Sequence, residues 1–175
     1  MTVEFVTPCE QRFSLVVATT IGELLIVSDG GSLTELRLPA FGPWPGVERD
    51  APKAGTLLFD ALEQIDGYLL GAIRTFSIPL APTGTEFQRS VWRALGAIPY
   101  GETRSYGEVA AAVGRPKAAR AIGAANHVNP LAIIVPCHRV IGAGGALVGY
   151  AGGLELKTEL LTLEARGISK EVSTR

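Results

Sequence analysis

The chain has 175 residues, 47% of them hydrophobic, and a formal net charge of −1, which predicts a globular protein with a sizeable core. No apolar run approaches the roughly 18 residues of a membrane span, and the N-terminus lacks the basic lead-in of a signal peptide. We therefore expect a cytoplasmic protein without membrane association, in which Cys9 and Cys137 are free thiols. With His127 and His138 as the only histidines, a zinc site is not expected.

The charge is unevenly distributed along the chain. Residues 1–84 contain 5 Lys and Arg against 10 Asp and Glu, a net of −5, whereas residues 85–175 contain 11 against 7, a net of +4. The basic surplus lies in the half that carries Cys137. It permits nucleic-acid binding by that half, but it is equally consistent with a solvated surface.

The first half predicts an α/β scaffold domain, an antiparallel sheet plus a helix, over residues 1–81. Three short runs rich in β-branched residues and leucine are separated by turn-forming residues and predict the sheet; they occupy 13–18, 23–28 and 33–38. A helix follows from apolar residues at helical spacing, at Leu58, Leu62, Ile65 and Leu69. Residues 74–80 predict a returning strand, and residues 82–84 a linker.

The second half, residues 85–175, predicts a mostly helical domain. Two capping-box patterns begin amphipathic stretches: Thr85 with Gln88, and Ser105 with Glu108. Pro116 stands at a favourable first-turn position and begins a further helix, "PKAARAIGAAN". Two short helices joined by a tight turn containing glycine are typical of a helix-turn-helix, although many helical hairpins bind nothing.

The second helix of that pair has an unusual composition. It is rich in alanine and glycine, with Arg120 as the long side chain in its middle. Alanine is the best helix former and packs helices tightly, which accounts for the composition without any ligand. A helix this thin can also enter the narrow minor groove of DNA, with Arg120 as the inserted group.

The stretch "NPLAIIVPCHRVIG" places Cys137 directly after a run that predicts a buried strand. Taken alone, Cys137 is most simply a small buried hydrophobic residue. Pro136 fixes the backbone before it, and His138 and Arg139 supply positive charge that can stabilise a thiolate. Because adjacent strand side chains point to opposite faces, His138 reaches Cys137 only if the chain turns there or a water lies between them.

A glutamate near the C-terminus offers a third group for a Cys/His/acid relay. Leu156, Leu160 and Leu163 predict the buried stripe of a helix that ends at Gly167. Glu164 lies at the edge of that stripe, where it could orient His138 or form an ordinary salt bridge at the core boundary.

Together these residues resemble the O6-alkylguanine-DNA alkyltransferases, repair proteins that move an alkyl group from guanine to their own cysteine. "VPCHRVIG" resembles the active-site signature of that family. Three further stretches resemble the family pattern in order and spacing: "FQRSVWRALGAIPYGETRSYGEVA", "RPKAARAIGAANHVNP" and "GYAGGLELKTELLTLE". The resemblance covers about residues 85–167 closely and the first half only in outline.

The resemblance implies a reaction without metal or cofactor. Cys137 would attack the alkyl carbon on O6 of guanine, or on O4 of thymine, and keep the group irreversibly as a thioether, once per molecule. A relay of water, His138 and Glu164 would activate the thiol. Tyr106 would donate a proton to guanine N3, and Asn129 would tie the helix pair to the cysteine turn.

The resemblance also implies how double-stranded DNA is held, through its minor groove. The target base must leave the stack at a cost of roughly a few kcal/mol, and Arg120 would take its place. Other residues implied at the DNA surface are Lys117, Ala119, Ala121, Ala124 and Arg104. Those implied in the base pocket are Val140, Tyr150, Ala151 and Gly152, with Ala151 standing where the family often has serine.

Two other functions remain open from the sequence. One is a sensor of alkylated DNA that does not repair it, against which the retention of Cys137 speaks. The other is an unrelated cysteine hydrolase, which would need an acyl substrate and turnover. We expect a monomer, with cooperative binding along DNA left open.

Overall fold

The computed structural model divides the chain into two compact units. It describes residues 4–8, 12–47, 53 and 55–172, and Cys9 lies outside these described residues. The N-terminal unit comprises residues 4–83 together with 130–132, and the C-terminal unit comprises residues 84–129 and 133–172. Within the described chain, no helix has the length and apolar character needed to cross a membrane.

The N-terminal unit is built on an antiparallel sheet in the order β1-β2-β3, which confirms the predicted meander. Its strands are β1, Phe13–Thr19, β2, Gly22–Ser28, and β3, Leu33–Arg37. The central strand β2 is buried on both faces, since five consecutive residues from Leu24 to Ser28 are buried. On one face Val16, Leu25 and Val27 pack against Trp44 and Val47, which come from the Pro- and Gly-rich loop.

A single α-helix of the described chain packs on this sheet. The strand predicted over residues 74–80 does not form. α1, Leu57–Leu69, contacts all three strands and confirms the predicted helix. The predicted strand over 74–80 is wrong, because within that range the chain forms only isolated bridges, at Leu80. Pro79 has no N–H to donate, so a hydrogen-bonded ladder cannot continue through it.

Four helices and a short parallel ladder make up the described part of the C-terminal unit. The helices are α2, Glu86–Gly96, α3, Tyr106–Ala112, α4, Ala119–His127, and α5, Gly153–Val172, and β4, Arg104–Ser105, pairs in parallel with β5, Val140–Ile141. Both predicted capping boxes are confirmed, at the starts of α2 and α3. The Trp92 indole of α2 donates a hydrogen bond to the Ala125 carbonyl of α4 at 2.9 Å, which fixes these two helices together.

α4 begins at Ala119, later than predicted from Pro116. The Ala118 N–H donates to the Arg115 carbonyl at 2.8 Å, so the chain first makes a tight turn that includes the proline. Ala118 itself has φ −95° and ψ 22°, outside helical geometry. The helix then buries Ile122, Ala125 and Asn126.

The apolar run before Cys137 is buried, as expected, but it is not a strand. Residues 132–134 form turns, and only Leu131 makes a bridge, to Leu36. Ile133 has a φ of 71°, which breaks the extended path. A β-branched residue tolerates this left-handed conformation only where its surroundings enforce it, and Ile133 is fully buried.

α5 continues through Gly167, so the predicted end of this helix is wrong. Gly167 instead allows Tyr100 to pack closely against α5, because a Cβ at this position would lie 2.9 Å from the Tyr100 hydroxyl oxygen. The buried face of α5 is formed by Lys157, Leu160 and Glu164. Glu164 therefore lies at the centre of the buried stripe rather than at its edge.

Candidate active site

Cys137, His138 and Arg139 form a single turn of 3-10 helix between the buried turns and β5. The turn directs the Cys137 thiol toward Asn129 and the His138 and Arg139 side chains toward Glu164, and all three residues are buried. The chain therefore turns at Cys137, which was one of the two ways in which the adjacent histidine could serve the cysteine.

The Cys137 thiol lies against a buried amide. The Asn129 Nδ2 donates to Cys137 Sγ at 3.2 Å and to the Val135 carbonyl at 2.8 Å, so it fixes the cysteine turn. Burial raises the pKa of the thiol above its usual value, and the hydrogen bond from Asn129 and the charge of Lys157 offset only part of that rise. The expectation of a thiolate stabilised by the Arg139 charge is wrong, because that guanidinium is directed at Glu164.

Glu164 collects four hydrogen-bond donors inside the core. His138 Nε2 lies 3.0 Å from Oε1, and Gly101 N–H donates to Oε2 at 2.9 Å. Arg139 donates through Nε, at 3.1 and 3.0 Å, and through Nη2, at 2.8 Å. Burial raises the pKa of this carboxyl, but the bonds from His138 and Arg139 outweigh it and hold the pKa at about 2. Glu164 is thus a carboxylate that serves both the histidine and a buried ion pair.

His138 is neutral in this environment. Burial lowers its pKa below the ordinary value, and the hydrogen bond to Glu164 recovers only part of the loss. Because a carboxylate accepts, the ring nitrogen facing it, Nε2, carries the hydrogen, and the lone pair is on Nδ1. A neutral histidine in this tautomer can accept a proton.

Gly101 allows the backbone to reach the carboxylate. It has a φ of 75°, and a Cβ at this position would collide with the side chain of Ile168 on α5. Any other residue would be strained in this conformation, and the Ile168 side chain would have to move to make room for it.

Lys157 is fully buried and holds the loop that follows β5. Its ammonium donates to the carbonyl of Val140 at 2.6 Å, of Val148 at 2.9 Å and of Gly149 at 3.5 Å. Burial lowers the pKa of Lys157, while a negative charge on Cys137 would raise it. These three carbonyls replace the water that a buried ammonium would otherwise need.

A cavity of about 450 Å³ opens onto the thiol. Its wall contains Tyr106, Gly123, Asn126, His127, Cys137, Val148, Gly149, Tyr150 and Ala151. Of the residues expected in a base pocket, Tyr150 and Ala151 line it. Val140 and Gly152 are not among its described lining residues, and the Val140 carbonyl is bound to Lys157 instead.

Two tyrosines in this wall keep their protons. Burial, followed by the nearby Cys137, raises the pKa of the Tyr106 phenol, and a hydrogen bond with Asn126 lowers it in part. Burial likewise raises the pKa of Tyr150 well above its ordinary value. Both phenols are therefore available as hydrogen-bond donors at neutral pH.

The residues expected at a DNA surface are mostly exposed. They are Lys117, Ala119, Arg120, Ala121 and Ala124, the last four on α4. Arg120 has no ion-pair partner within the described ranges. Arg104 differs, because it is half-buried and paired with Glu102 at 2.7 Å.

Known proteins resemble this chain over most of its length. Residues 86–166 match the family model for the DNA-binding domain of 6-O-methylguanine DNA methyltransferase. A methylated-DNA–protein-cysteine methyltransferase of Mycobacterium leprae is 52% identical over 144 residues, which cover 82% of this chain and 87% of that protein. The chain belongs to the methylated-DNA–protein-cysteine methyltransferase family.

Further members of the methylated-DNA–protein-cysteine methyltransferase family agree with this assignment. One from Methanosarcina acetivorans is 61% identical over 105 residues, 60% of this chain and 67% of that protein. The crystal structure of Mycobacterium tuberculosis OGT in complex with DNA has a TM-score of 0.80 at 46% identity, and covers 89% of this chain and 94% of its own. The resemblance first noted in the sequence is thereby confirmed.

Several residues of the site were missed from the sequence, and Asn126 and Lys157 are the two that contribute polar side-chain contacts to the cysteine turn and the loop after it. Lys157 lies three residues before Leu160 and seven before Glu164, so helical spacing alone puts it on their buried face. Asn126 had no such signal, because its neighbours in an alanine-rich helix indicate nothing about which positions face a cavity. Among the described residues no group of three or more His, Cys, Asp or Glu could hold a metal ion.

Proposed function

We propose that this protein repairs DNA by transferring an alkyl group from O6 of guanine in a duplex to Sγ of its own Cys137. The observation that carries the proposal is the cysteine itself, which lies in the wall of a cavity beside a neutral, carboxylate-oriented histidine. The family and the DNA complex of a relative at 46% identity support the same reaction.

Activation of the thiol begins with a protonated sulfur, because burial raises the pKa of Cys137. His138 accepts the thiol proton on Nδ1, through a water between the two side chains. Glu164 stabilises the resulting imidazolium through Nε2 at 3.0 Å. The nucleophile is therefore formed inside the cavity, where a substrate excludes bulk water.

The displacement is a single exchange of bonds at the alkyl carbon. The Sγ–C bond forms as the C–O6 bond breaks, and the bonding electron pair moves into the purine. Tyr106 delivers its proton to N3, so guanine leaves as a neutral base, and the proton held by His138 then restores Tyr106. The thioether has no easy route back, so each molecule reacts once. Because sulfur displaces guanine directly, the reaction needs no cofactor or metal.

Binding to DNA is assigned to α3 and α4, acting as a helix-turn-helix at the minor groove. The exposed face of α4 carries small side chains, which allow close approach to the groove walls. Arg120, which projects from this face, occupies the space that the flipped base leaves. Lys117 and Arg104 contact phosphates, and Arg104 must then leave its partner Glu102. A single copy of the chain provides all of these DNA-contacting groups, so the protein acts as a monomer. O4-alkylthymine carries the same kind of alkyl ether as O6-alkylguanine and is proposed as a second substrate of Cys137.

Intact mass spectrometry tests this proposal directly. Protein mixed with an O6-methylguanine duplex should gain the mass of one methyl group on Cys137, with at most one repaired base per molecule. Cys137→Ser should still bind the duplex but transfer nothing, because a neutral hydroxyl is a far poorer nucleophile than a thiolate. Binding without a mass gain would indicate a sensor, and many repaired bases per protein would indicate a true turnover enzyme.

A further inference from the structure

The hydroxyl of Tyr150 is a buried donor in the cavity wall, and no group in the described part of the chain forms a hydrogen bond with it. Tyr150 directly follows the loop that Lys157 holds. A buried polar atom without a hydrogen bond is costly, and such a group is expected to have a functional reason. Because burial raises the pKa of this phenol, it stays protonated at neutral pH and can donate to an acceptor in the cavity.

Tyr150 lies beside both partners of the proton transfer proposed above. Its ring meets the His138 imidazole edge to face, with 6.4 Å between the ring centroids and 79° between the ring planes. It shares the cavity wall with Cys137, whose charge is, after burial, the second cause of the raised pKa of the phenol. Tyr106, in contrast, hydrogen-bonds Asn126 and is assigned to the departing base. Tyr150 is therefore the phenol that lies next to the thiol and the imidazole and has no task in the reaction so far.

The water that carries the proton from Cys137 to His138 needs such a donor. A buried water typically makes about three hydrogen bonds to polar groups of the protein. The thiol and the lone pair of the imidazole supply two of them. A phenol that donates to the water supplies the third and holds the water in place. Because hydrogen bonds in a chain polarise one another, this donor also strengthens the bond that the water gives to the sulfur once the thiolate has formed.

We propose that Tyr150 is a positioning residue for thiol activation, its hydroxyl donating to the water between Cys137 Sγ and His138 Nδ1. The Sγ–H bond breaks as its hydrogen passes to the water, the water gives one of its own hydrogens to Nδ1, and the electron pair remains on sulfur. The phenol keeps its proton throughout. The thiolate then accepts from the water as well as from Asn129 Nδ2. This inference rests on the proposed function and adds one group to its activation step.

Tyr150→Phe removes the hydroxyl but keeps the ring beside His138, and iodoacetamide measures thiol activation with no base in the cavity. Alkylation is followed between about pH 6 and pH 10 by mass spectrometry of the tryptic peptide 121–139, which contains Cys137 but not Cys9. At neutral pH the variant should react about tenfold more slowly than the parent, roughly the effect of one hydrogen bond. The two rates should converge at alkaline pH, where hydroxide ionises the thiol in both proteins. Transfer from saturating O6-benzylguanine should fall by the same factor at neutral pH.

Tyr106→Phe is the matched control, because it removes the other phenol of the same cavity. It should slow transfer from O6-benzylguanine more than it slows iodoacetamide, whereas Tyr150→Phe should slow both reactions alike. The inference is overturned if Tyr150→Phe reacts with iodoacetamide at the parent rate at neutral pH. It is overturned as well if the variant is slower by one constant factor at every pH, or if it does not fold, since the hydroxyl would then support the pocket or the fold. Absence of any transfer by the parent from methylated duplex would instead refute the proposed function.

Discussion

Replacing Glu164 by glutamine should unfold the protein more easily, and by an amount that depends on pH. The carboxylate is fully buried and accepts from His138, Gly101 and the guanidinium of Arg139. Glutamine keeps the shape but removes the charge, so Arg139 remains buried without a counter-charge. Removing one partner of a buried pair costs about 3–5 kcal/mol.

The pH dependence follows from the depressed pKa of Glu164. Folding lowers this pKa from 4.5 to about 2, which is worth about 3 kcal/mol of stability at neutral pH. Because the folded pKa is the lower one, the contribution is complete above the unfolded value of 4.5 and is lost as the pH falls toward about 2. The difference in stability between parent and Glu164→Gln should therefore be about 3 kcal/mol at pH 7 and shrink steadily through this acid range.

Urea unfolding, followed by tryptophan fluorescence at several pH values between about 3 and 7, measures this difference. Glu159→Gln is the matched control, because Glu159 is exposed on the same helix, and it should change stability by less than about 0.5 kcal/mol. A difference below about 1 kcal/mol at pH 7, or one that does not vary with pH, would refute the reasoning.

Three further predictions concern the reaction. Arg120→Ala should slow transfer from duplex DNA by about ten- to a hundredfold but leave transfer from free O6-benzylguanine nearly unchanged, because a free base has no stack to leave; equal slowing would show that Arg120 supports the pocket. Affinity for duplex should fall steeply with salt and depend little on sequence, as gel shifts at two salt concentrations would reveal. Since burial raises the pKa of Cys137, its alkylation by iodoacetamide, followed by intact mass, should keep accelerating at pH values where an ordinary thiol has levelled off; a plateau near neutral pH would contradict this assignment.

The sequence correctly predicted those strands and helix starts that depend on a few neighbouring residues. The meander followed from alternating runs and turns, and the starts of α2 and α3 followed from capping boxes that the structure forms with both hydrogen bonds. The two missing strands had strand-like compositions, but Pro79 cannot donate to a ladder and Ile133 adopts a left-handed φ of 71°. Neither effect is encoded by hydrophobic periodicity.

The position of α5 against Tyr100 shows a second limit of sequence reasoning. A glycine near a helix end usually marks the end, and Gly167 was interpreted in that way. In the structure Tyr100 packs against Gly167 in the space that a side chain at position 167 would occupy. The two residues are 67 positions apart in the chain. The same ambiguity applies to Glu164, for which spacing left open a relay and a salt bridge, and the structure forms both hydrogen bonds at once.

Arg139 explains how the Glu164 carboxylate can both orient His138 and take part in a buried ion pair. A lone Glu164 beside His138 would favour the imidazolium and raise the histidine pKa, and a protonated histidine could not take the proton of Cys137. With Arg139 at 2.8 Å, the negative charge is already compensated, and the Arg139 charge itself lowers the pKa of His138. Burial is the largest cause of the lowered His138 pKa and the Arg139 charge adds to it, so His138 stays neutral while Glu164 still fixes its tautomer. The guanidinium that follows the cysteine in sequence thus favours a basic histidine in the resting site, where a direct contact with sulfur would have favoured a resting thiolate.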